Sequence, residues 1–401
     1  MDQLSNLKKI LSAERPLLEG RSYLNYDKGK SFKKSQGAFN VCVVYANTYS
    51  IGMSNLGFHV VCEEFNKLPE VKVDRAFMPE RRNEEVRGCV TGRKLSEFDM
   101  IVFSIPYELD YLNIPLVLQA GGIEPLMEKR TSNTLIACGG IAPSVNPQSV
   151  SEYMDLVFIG DAEILIPLFY SELKKADYDF SKLGKALTDG FYFPELDNKY
   201  SMQKIATIKS PFFSTVVTPN TSFSDTVLID AGRGCPYSCK FCVTGNYLRP
   251  AVNVDAGKFT EIVDYCSKYG VNKFGIISSC IGKINGFVDF LKLMIERKIE
   301  INVSSLRFED MDDELISLMF EAGQRVFTLA PETGSEALRF AVGKPIKDSL
   351  IIEVIKKVIS AGANIKLYFM IGLPGETDQD LEAIAELVAN FKKLRKKIYL
   401  F

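Results

Sequence analysis

The sequence of 401 residues contains a single histidine, His59, and no tryptophan. Histidine is the side chain most often used as a general acid or base near neutral pH. His59 also falls within a stretch expected to form an early helix, so we interpret it as a structural residue rather than a ligand. Catalysis by a histidine base is therefore not expected, which favours redox or radical chemistry.

Long apolar runs and a surplus of charge are also absent. No apolar run approaches the length of a transmembrane helix, and the start of the chain lacks a basic segment followed by an apolar core. Lys and Arg number 48 against 50 Asp and Glu, a net charge of -2, which predicts no broad surface for polyanions. These absences predict a soluble, cytoplasmic protein without a membrane segment or a clear nucleic-acid module.

The remaining composition is that of a globular protein, with 46% hydrophobic and 24% charged residues. The length suffices for two domains. Nine cysteines, an odd number without the spacing of a disulfide scaffold, indicate a reducing compartment. Six of them lie in or beside apolar segments, and we interpret these six as core thiols: Cys42, Cys62, Cys89, Cys138, Cys266 and Cys280.

The other three cysteines lie together in residues 232–242, GRGCPYSCKFC, directly after an apolar run at 226–229. Glycines, a proline and charged residues interleave with them, which makes a poor core segment. Core thiols, a disulfide and a structural zinc site remain alternatives, although zinc prefers four donors and no further cysteine or histidine is nearby in the sequence. A four-iron cluster held by three thiolates would keep one iron free for a small molecule.

This Cys-x3-Cys-x2-Cys loop, with Phe241 just before the third cysteine, resembles the signature of radical S-adenosylmethionine (SAM) enzymes. The resemblance implies that Cys235, Cys239 and Cys242 bind a [4Fe-4S] cluster and that Phe241 lies at the SAM site. The open iron would bind the amino and carboxylate groups of SAM. One electron from the reduced cluster would then cleave SAM to a 5′-deoxyadenosyl radical.

Four apolar runs in the first half of the chain predict buried strands, at 41–45, 100–104, 135–138 and 156–159. Helical stretches separate them, so we expect a doubly wound parallel sheet, a Rossmann-like domain over 39–175. A lead-in strap at 1–38 and a connector at 176–222 would flank it. Each predicted strand ends in residues typical of turns, and ligands of such sheets bind at the carboxyl ends.

Two pieces of this domain carry a further resemblance. Residues 138–143 (CGGIAP) and 156–163 (LVFIGDAE) are similar to the last strands of the cobalamin-binding domain that precedes many radical SAM barrels. Residues 47–57 (NTYSIGMSNLG) resemble an uncharacterised radical SAM group with the same front domain. Candidate cleft residues are therefore Asn47, Ser54, Gly139 and Gly140. The Asp-x-His-x-x-Gly loop that supplies cobalt with a histidine is missing, so either cobalamin binds without one or the domain has lost the cofactor.

Residues 223–401 predict six strand–helix units and hence a partial (β/α)6 barrel, the fold that the resemblance also implies. The chain stops inside the expected sixth strand. We therefore expect either a truncated barrel or one whose open side is closed by the front domain or by a partner.

Polar residues follow several of these strands, where a barrel of this kind places its reacting groups. Ser278, Ser304 and Arg307 follow the second and third strands, and Arg307 suits a carboxylate or a phosphate. The segments TLAPETGSE (328–336) and YFMIGLPGET (368–377) resemble turns of radical SAM enzymes. By that resemblance Glu332 would accept from the ribose or ammonium, Lys344 would pair with the SAM carboxylate, and Ile371 and Gly372 would contact adenine.

The residues leave the downstream reaction and the catalytic residues open. Cobalamin in the front domain would imply radical methyl transfer to an unreactive carbon. Without cobalamin, a methylthiotransferase-like reaction is an alternative, although the second three-cysteine set of that group is missing. A non-catalytic or partner-dependent Fe-S protein is the third alternative. An electron donor such as flavodoxin or ferredoxin is expected in the first two cases.

Overall fold

The structure is a computed structural model that describes residues 12–17, 38–81, 84–205, 207–304, 306–394 and 398–400. The chain divides into two compact units, residues 1–205 with 214–225 and residues 206–213 with 226–401. Most of the expected N-terminal strap, at 1–11 and 18–37, lies outside the described residues. In the part of the chain that is described, no helix has the length and apolar character needed to cross a membrane.

The first unit is built on a six-stranded sheet. Its strands are β2 (Phe39–Tyr45), β3 (Val71–Phe77), β4 (Met100–Ser104), β5 (Leu135–Gly139), β6 (Leu156–Phe158) and β7 (Phe191–Tyr192), and a separate ribbon pairs β1 (Arg15–Pro16) with β8 (Val216–Val217). The spatial order is β3-β2-β4-β5-β6-β7, with β7 antiparallel at the edge and the other five strands parallel. The expected parallel α/β architecture is confirmed.

The helices of this unit cover both faces of the sheet, because alternate residues of each strand enter two separate cores. Val41 and Val43 pack into one core with the helix Leu56–Asn66, while Cys42 and Val44 pack into the other with the helix Ile114–Ala120. The remaining helical segments are Tyr49–Gly52, Leu95–Glu97, Glu108–Asn113, Met127–Lys129, Ile141–Val145, Pro147–Val150, Ala162–Lys175, Phe180–Lys182 and Leu183–Ala186. Burial on both faces explains the continuous apolar runs of the strands.

His59 lies in the core of this unit, as the sequence predicts. The imidazole is buried, and its Nε2 is 3.1 Å from the carbonyl oxygen of Met53. Burial lowers the pKa of His59 to about 4. The ring is therefore neutral around pH 7 and enclosed in the core.

The second unit holds six parallel strands in two groups of three. Its strands are β9 (Val227–Asp230), β12 (Lys273–Ile277), β13 (Glu300–Val303), β14 (Val326–Glu332), β15 (Asn364–Phe369) and β16 (Ile398–Leu400), and a short antiparallel ribbon pairs β10 (Gly232–Arg233) with β11 (Val252–Asn253). The orders are β9-β12-β13 and β14-β15-β16. The Leu306 amide donates to the Thr328 carbonyl at 3.1 Å in a parallel bridge that joins the two groups.

Helices follow these strands in the alternating order that the sequence predicts. They are Val243–Tyr247, Gly257–Ser267, Ile281–Lys283, Phe287–Glu296, Phe308–Asp310, Asp313–Glu321, Glu336–Ala341, Asp348–Ser360 and Asp378–Leu394. Within the described ranges no pairing connects β9 to β16, and an antiparallel bridge from Phe213 to Ile229 lies along β9 instead. The segments that follow β9, β12, β13, β14 and β15 carry the candidate site.

Candidate cluster and SAM site

The cysteine loop follows β9 and is shaped by glycines. Gly234 has a φ of +74°, and a Cβ at this position would lie 1.9 Å from the carbonyl oxygen of Leu248. Only glycine fits such a backbone. On the other side of the loop, the Asn246 Nδ2 donates to the carbonyls of Cys239 and Cys242, at 2.9 and 2.7 Å. The path of the chain around the three sulfurs is thus fixed by local contacts.

The three cysteines of the loop differ in exposure. Cys235 and Cys239 are buried, whereas Cys242 is half-buried and precedes the helix Val243–Tyr247. No three His, Cys, Asp or Glu side chains among the described residues surround one point as ligands of a single metal ion. Each thiolate of a four-iron cluster binds a different iron, so cluster ligands need not converge on one point.

A fourth thiol lies beside the loop. The Cys280 Sγ is 3.6 Å from the Cys235 Sγ. Burial, and to a smaller extent the contact with Cys235, raises the pKa of Cys280 to about 12. Cys280 lies just beyond the end of β12, the neighbour of β9 in the sheet. All six remaining cysteines are buried, as the sequence predicts, but the proximity of Cys280 to the loop was missed because it depends on strand pairing.

Arg307 also packs against the cysteine loop. Its guanidinium carbon lies 3.6 Å from the centre of the Tyr237 ring, and its Nη2 donates to Glu309 Oε1 at 2.6 Å. Burial raises the pKa of the Cys239 thiol, while the charges of Arg307 and Lys344 and a hydrogen bond with the Arg307 side chain act in the opposite direction. The Nε of Arg307 is buried and has no hydrogen-bond partner among the described residues. A buried donor beside the cysteines suits a group with sulfur acceptors.

Glu332 and Lys344, both predicted to contact SAM, are paired with each other. The Lys344 Nζ donates to Glu332 Oε1 and to the Ala330 carbonyl, each at 2.7 Å. Both side chains are largely buried, with 9% of Lys344 and 13% of Glu332 exposed. Glu332 has a φ of +71°, an uncommon conformation for a residue other than glycine. An ammonium has three donors, so one N–H of Lys344 remains for a further acceptor.

Ser278 and Ser304 lie side by side at the carboxyl ends of β12 and β13. The Ser304 hydroxyl donates to the Ser278 carbonyl at 3.0 Å, and the Ser278 hydroxyl accepts from the Cys280 amide at 3.2 Å. Phe241, on the cysteine loop, is half-buried. The structure thus places the two serine oxygens next to the segment that carries Cys280.

The turn after β15 presents an exposed apolar residue. Ile371 is 76% exposed, and Gly372 has a φ of +90° with open space where a Cβ would be. The Gly372 amide donates to Glu376 Oε2 at 2.6 Å. This hydrogen bond from Gly372 to Glu376 holds the turn in place.

Two further contacts of this region were missed by the sequence analysis. Arg339 is fully buried and donates to the carbonyls of Thr333 and Gly334, at 3.0 and 3.2 Å. The Ser335 hydroxyl bonds to Asp380, which joins the turn after β14 to the helix after β15. Arg339 and Ser335 hold the turns in place through these hydrogen bonds. The sequence around them does not predict the contacts.

In the first unit, the candidate cleft residue Asn47 lies where the strand order reverses, between β2 and β4, and Gly140 follows the adjacent strand β5. Asn47 follows β2, and its Nδ2 donates to the buried Asp110, in the segment after β4, at 2.9 Å. Gly140 follows β5 with a φ of +124°, and a Cβ there would lie 2.3 Å from the Ile105 carbonyl oxygen. Ligands of doubly wound sheets bind at this switch point.

The other two candidates contribute less to such a site. The Ser54 hydroxyl donates to the Ser50 carbonyl and accepts from the Ser222 amide, at 2.6 and 3.0 Å. Gly139 ends β5, and a Cβ there would lie 3.2 Å from the Cβ of Phe158. The Tyr111 hydroxyl, in the segment after β4, is buried without a partner among the described residues.

Comparison with protein-family models shows to which family the chain belongs. A family model described as "Radical SAM proteins, N-terminal" matches residues 57–194, and a model of the "Radical SAM superfamily" matches residues 229–388. The chain belongs to the radical SAM superfamily. Members of this superfamily use a [4Fe-4S] cluster and SAM and require a reductant, as the resemblance of the cysteine loop implies.

Curated radical SAM relatives match different shares of the chain. An uncharacterised protein of Methanocaldococcus jannaschii is 26% identical over 90% of this chain and 75% of its own length. Cytidylyl-2-hydroxyethylphosphonate methyltransferase of Streptomyces wedmorensis is 27% identical over 48% of this chain. The chain spans 36% of the length of that methyltransferase.

Solved structures of two radical SAM enzymes share the fold. TsrM of Kitasatospora setae, a methyltransferase solved with cobalamin and a [4Fe-4S] cluster bound, matches 88% of this chain and 73% of its own with a TM-score of 0.64 and 12% identity. OxsB, a cobalamin-dependent enzyme solved with SAM bound, matches 87% of this chain and 52% of its own with a TM-score of 0.59 and 16% identity. At such identities the likeness establishes the fold alone.

The Glu332–Lys344 pair leads to a stability prediction. Replacing Lys344 by methionine leaves the Glu332 carboxylate buried without its partner, and we expect a loss of about 3–5 kcal/mol in the free energy of unfolding. Urea unfolding of the full chain measures it. The control is Lys258→Met, which breaks an exposed pair with Glu261 and should cost less than about 1 kcal/mol. Equal losses in the two variants would contradict the prediction.

Proposed function

We propose that this chain is a radical SAM enzyme in which Cys235, Cys239 and Cys242 bind a [4Fe-4S] cluster and leave one iron open for SAM. The observation that carries the proposal is the position of the three-cysteine loop, at the carboxyl end of β9 in a unit of six parallel strands. Glycine geometry and the Asn246 hydrogen bonds fix the backbone of this loop. The buried donor of Arg307 adjoins it.

When bound, the cluster supplies the electron that cleaves SAM to a 5′-deoxyadenosyl radical. The residues of this chain bind and orient SAM. The oxygens of Ser278 and Ser304 accept from the SAM ammonium, and the remaining N–H of Lys344 donates to the SAM carboxylate. The exposed side chain of Ile371 packs on adenine, while Gly372 lets the backbone approach it.

As the more specific reaction we propose cobalamin-dependent methyl transfer to an unreactive carbon, supported by the likeness of the fold to TsrM and OxsB. The strand order of the first unit is that of flavodoxin-like sheets, with Asn47 and Tyr111 offering polar groups at the switch point and Gly140 a close backbone approach on the next strand. Because His59 is enclosed in the core, we propose that cobalamin would bind without a histidine ligand. A methylthiotransferase-like reaction without cobalamin and a non-catalytic Fe-S protein are the alternatives.

Anaerobic reconstitution of the full chain tests these proposals. Incubation of the reconstituted protein with SAM and dithionite should release 5′-deoxyadenosine. If the protein binds iron and sulfide but releases no 5′-deoxyadenosine, the result favours the non-catalytic Fe-S protein. Gel filtration after incubation with hydroxocobalamin should yield protein with the cobalamin absorption. Cobalamin-free protein that still produces 5′-deoxyadenosine would favour the methylthiotransferase-like alternative.

We further propose that the enzyme works in the cytoplasm with flavodoxin or ferredoxin as its reductant. All nine cysteines are free thiols, which suits a reducing compartment. Reduced flavodoxin should replace dithionite in the assay above. Failure of both flavodoxin and ferredoxin to support release of 5′-deoxyadenosine would contradict this choice of donor.

A further inference from the structure

We infer that Arg307 acts on the cluster rather than on SAM: its buried Nε–H donates to a cluster sulfur and raises the potential at which the cluster accepts an electron. The inference rests on the proposed function, because it requires the cluster. It revises the expectation that the side chain binds a carboxylate or phosphate of a ligand, and it assigns Arg307 the role of a positioning residue that acts through the metal centre.

The guanidinium of Arg307 is held from two sides. It stacks on the ring of Tyr237, which lies between Cys235 and Cys239 in the loop, with 3.6 Å from the guanidinium carbon to the ring centre. Its Nη2 is bonded to Glu309 at 2.6 Å. Only 12% of the side chain is exposed. These two contacts hold the guanidinium at the cysteine loop.

The unpartnered Nε then needs an acceptor. A buried donor without a partner costs about 1–3 kcal/mol, so such donors are rare unless an absent group completes them. Sulfur acceptors are close by, because the guanidinium lies on the ring of Tyr237, between Cys235 and Cys239 in the loop. A thiolate or a bridging sulfide of the cluster is an acceptor that would satisfy Nε–H.

Such a hydrogen bond favours the reduced cluster. Reduction by one electron from flavodoxin, ferredoxin or dithionite adds a negative charge, which is spread over the sulfurs. Hydrogen bonds to those sulfurs and nearby positive charge stabilise that charge, and they are among the factors that set cluster potentials. The partner of Arg307, Glu309, is 31% exposed and therefore better screened by water than the buried guanidinium.

The test is the midpoint potential of the reconstituted full chain without SAM, measured by EPR-monitored redox titration. Arg307→Met removes the donor and the charge, and we expect a lower midpoint potential than in the wild type. The matched control is Arg325→Met, which also removes a stacked arginine, 4.5 Å from the Phe320 ring, at the amino end of β14. Its potential should equal that of the wild type.

The outcomes separate this inference from the proposed function. A wild-type potential in Arg307→Met together with at least tenfold weaker binding of SAM would overturn the inference in favour of a SAM contact. If Arg307→Met takes up no iron, Arg307→Gln, which keeps a polar side chain but removes the positive charge and the Nε–H, is measured instead, and an unchanged potential in that variant likewise refutes the inference. Absence of iron and of a cluster EPR signal in the wild type refutes the proposed function itself.

Discussion

Replacement of Cys235 by alanine is expected to abolish cluster binding, whereas replacement of Cys280, whose sulfur lies 3.6 Å away, should leave it intact. The two buried thiols touch, but only Cys235 belongs to the loop that resembles the radical SAM signature. Reconstituted wild-type protein should contain about four irons per chain, as a [4Fe-4S] cluster requires. Cys235→Ala should contain almost none and release no 5′-deoxyadenosine, while Cys280→Ala should match the wild type in both.

Comparison of neighbouring thiols makes this experiment sharper than removal of the whole triad. General damage to the packing would affect both variants, so a difference between them identifies the ligand. If Cys280→Ala lost its iron as completely as Cys235→Ala while both variants kept the far-UV circular dichroism spectrum of the wild type, four cysteines would hold the cluster and no iron would be open for SAM. If only Cys280→Ala lost its iron, the cluster ligand would be Cys280, in the segment after β12, and not Cys235.

Replacement of Gly234 by alanine should be nearly as damaging, although it removes no ligand. At a φ of +74° a side chain costs roughly 1–2 kcal/mol. The added Cβ would also lie 1.9 Å from the Leu248 carbonyl oxygen, a contact that the backbone can relieve only by moving the loop. We expect less than about one iron per chain after reconstitution, compared with about four in the wild type, and a largely unchanged far-UV circular dichroism spectrum.

Gly270 offers a matched control for this variant. Its φ is +76°, almost that of Gly234, but nothing lies within 4 Å of the position where a Cβ would be. Gly270→Ala therefore carries the same conformational cost without the collision, and it should bind iron as the wild type does. Equal iron contents in the two alanine variants would show that the collision does not matter for the loop.

The architecture was predictable where strands are buried on both faces. The runs at 100–104 and 135–138 are apolar apart from Ser104, and they match β4 and β5. The strand β3 was missed because VKVDRAF contains three charged residues. Two of them, Asp74 and Arg75, are buried in the folded unit. Asp74 accepts hydrogen bonds from the amides of Val90 and Thr91. These bonds stabilise its buried charge, but the sequence pattern does not indicate that this loop packs against β3.

The site was predictable as a set of strand ends but not as a set of contacts. Parallel strands bring their carboxyl ends to one edge, which is why residues after separate strands could be proposed together. The pairing of Glu332 with Lys344 and the stacking of Arg307 on Tyr237 depend on side-chain packing between turns. The proximity of Cys280 to the cysteines of the loop depends on the pairing of β9 with β12, which the sequence alone does not show.

The enclosed imidazole of His59 has a consequence for measurements of pH dependence. Histidine is the side chain whose unperturbed pKa makes it change charge between about pH 5 and 8, and burial in the first unit moves the only one of this chain to about 4. Histidine protonation therefore contributes nothing to a rate profile recorded around neutrality. An inflection of the rate around neutral pH would have to come from another ionisable group, such as one of the substrate. The pH profile is therefore a means of identifying that group.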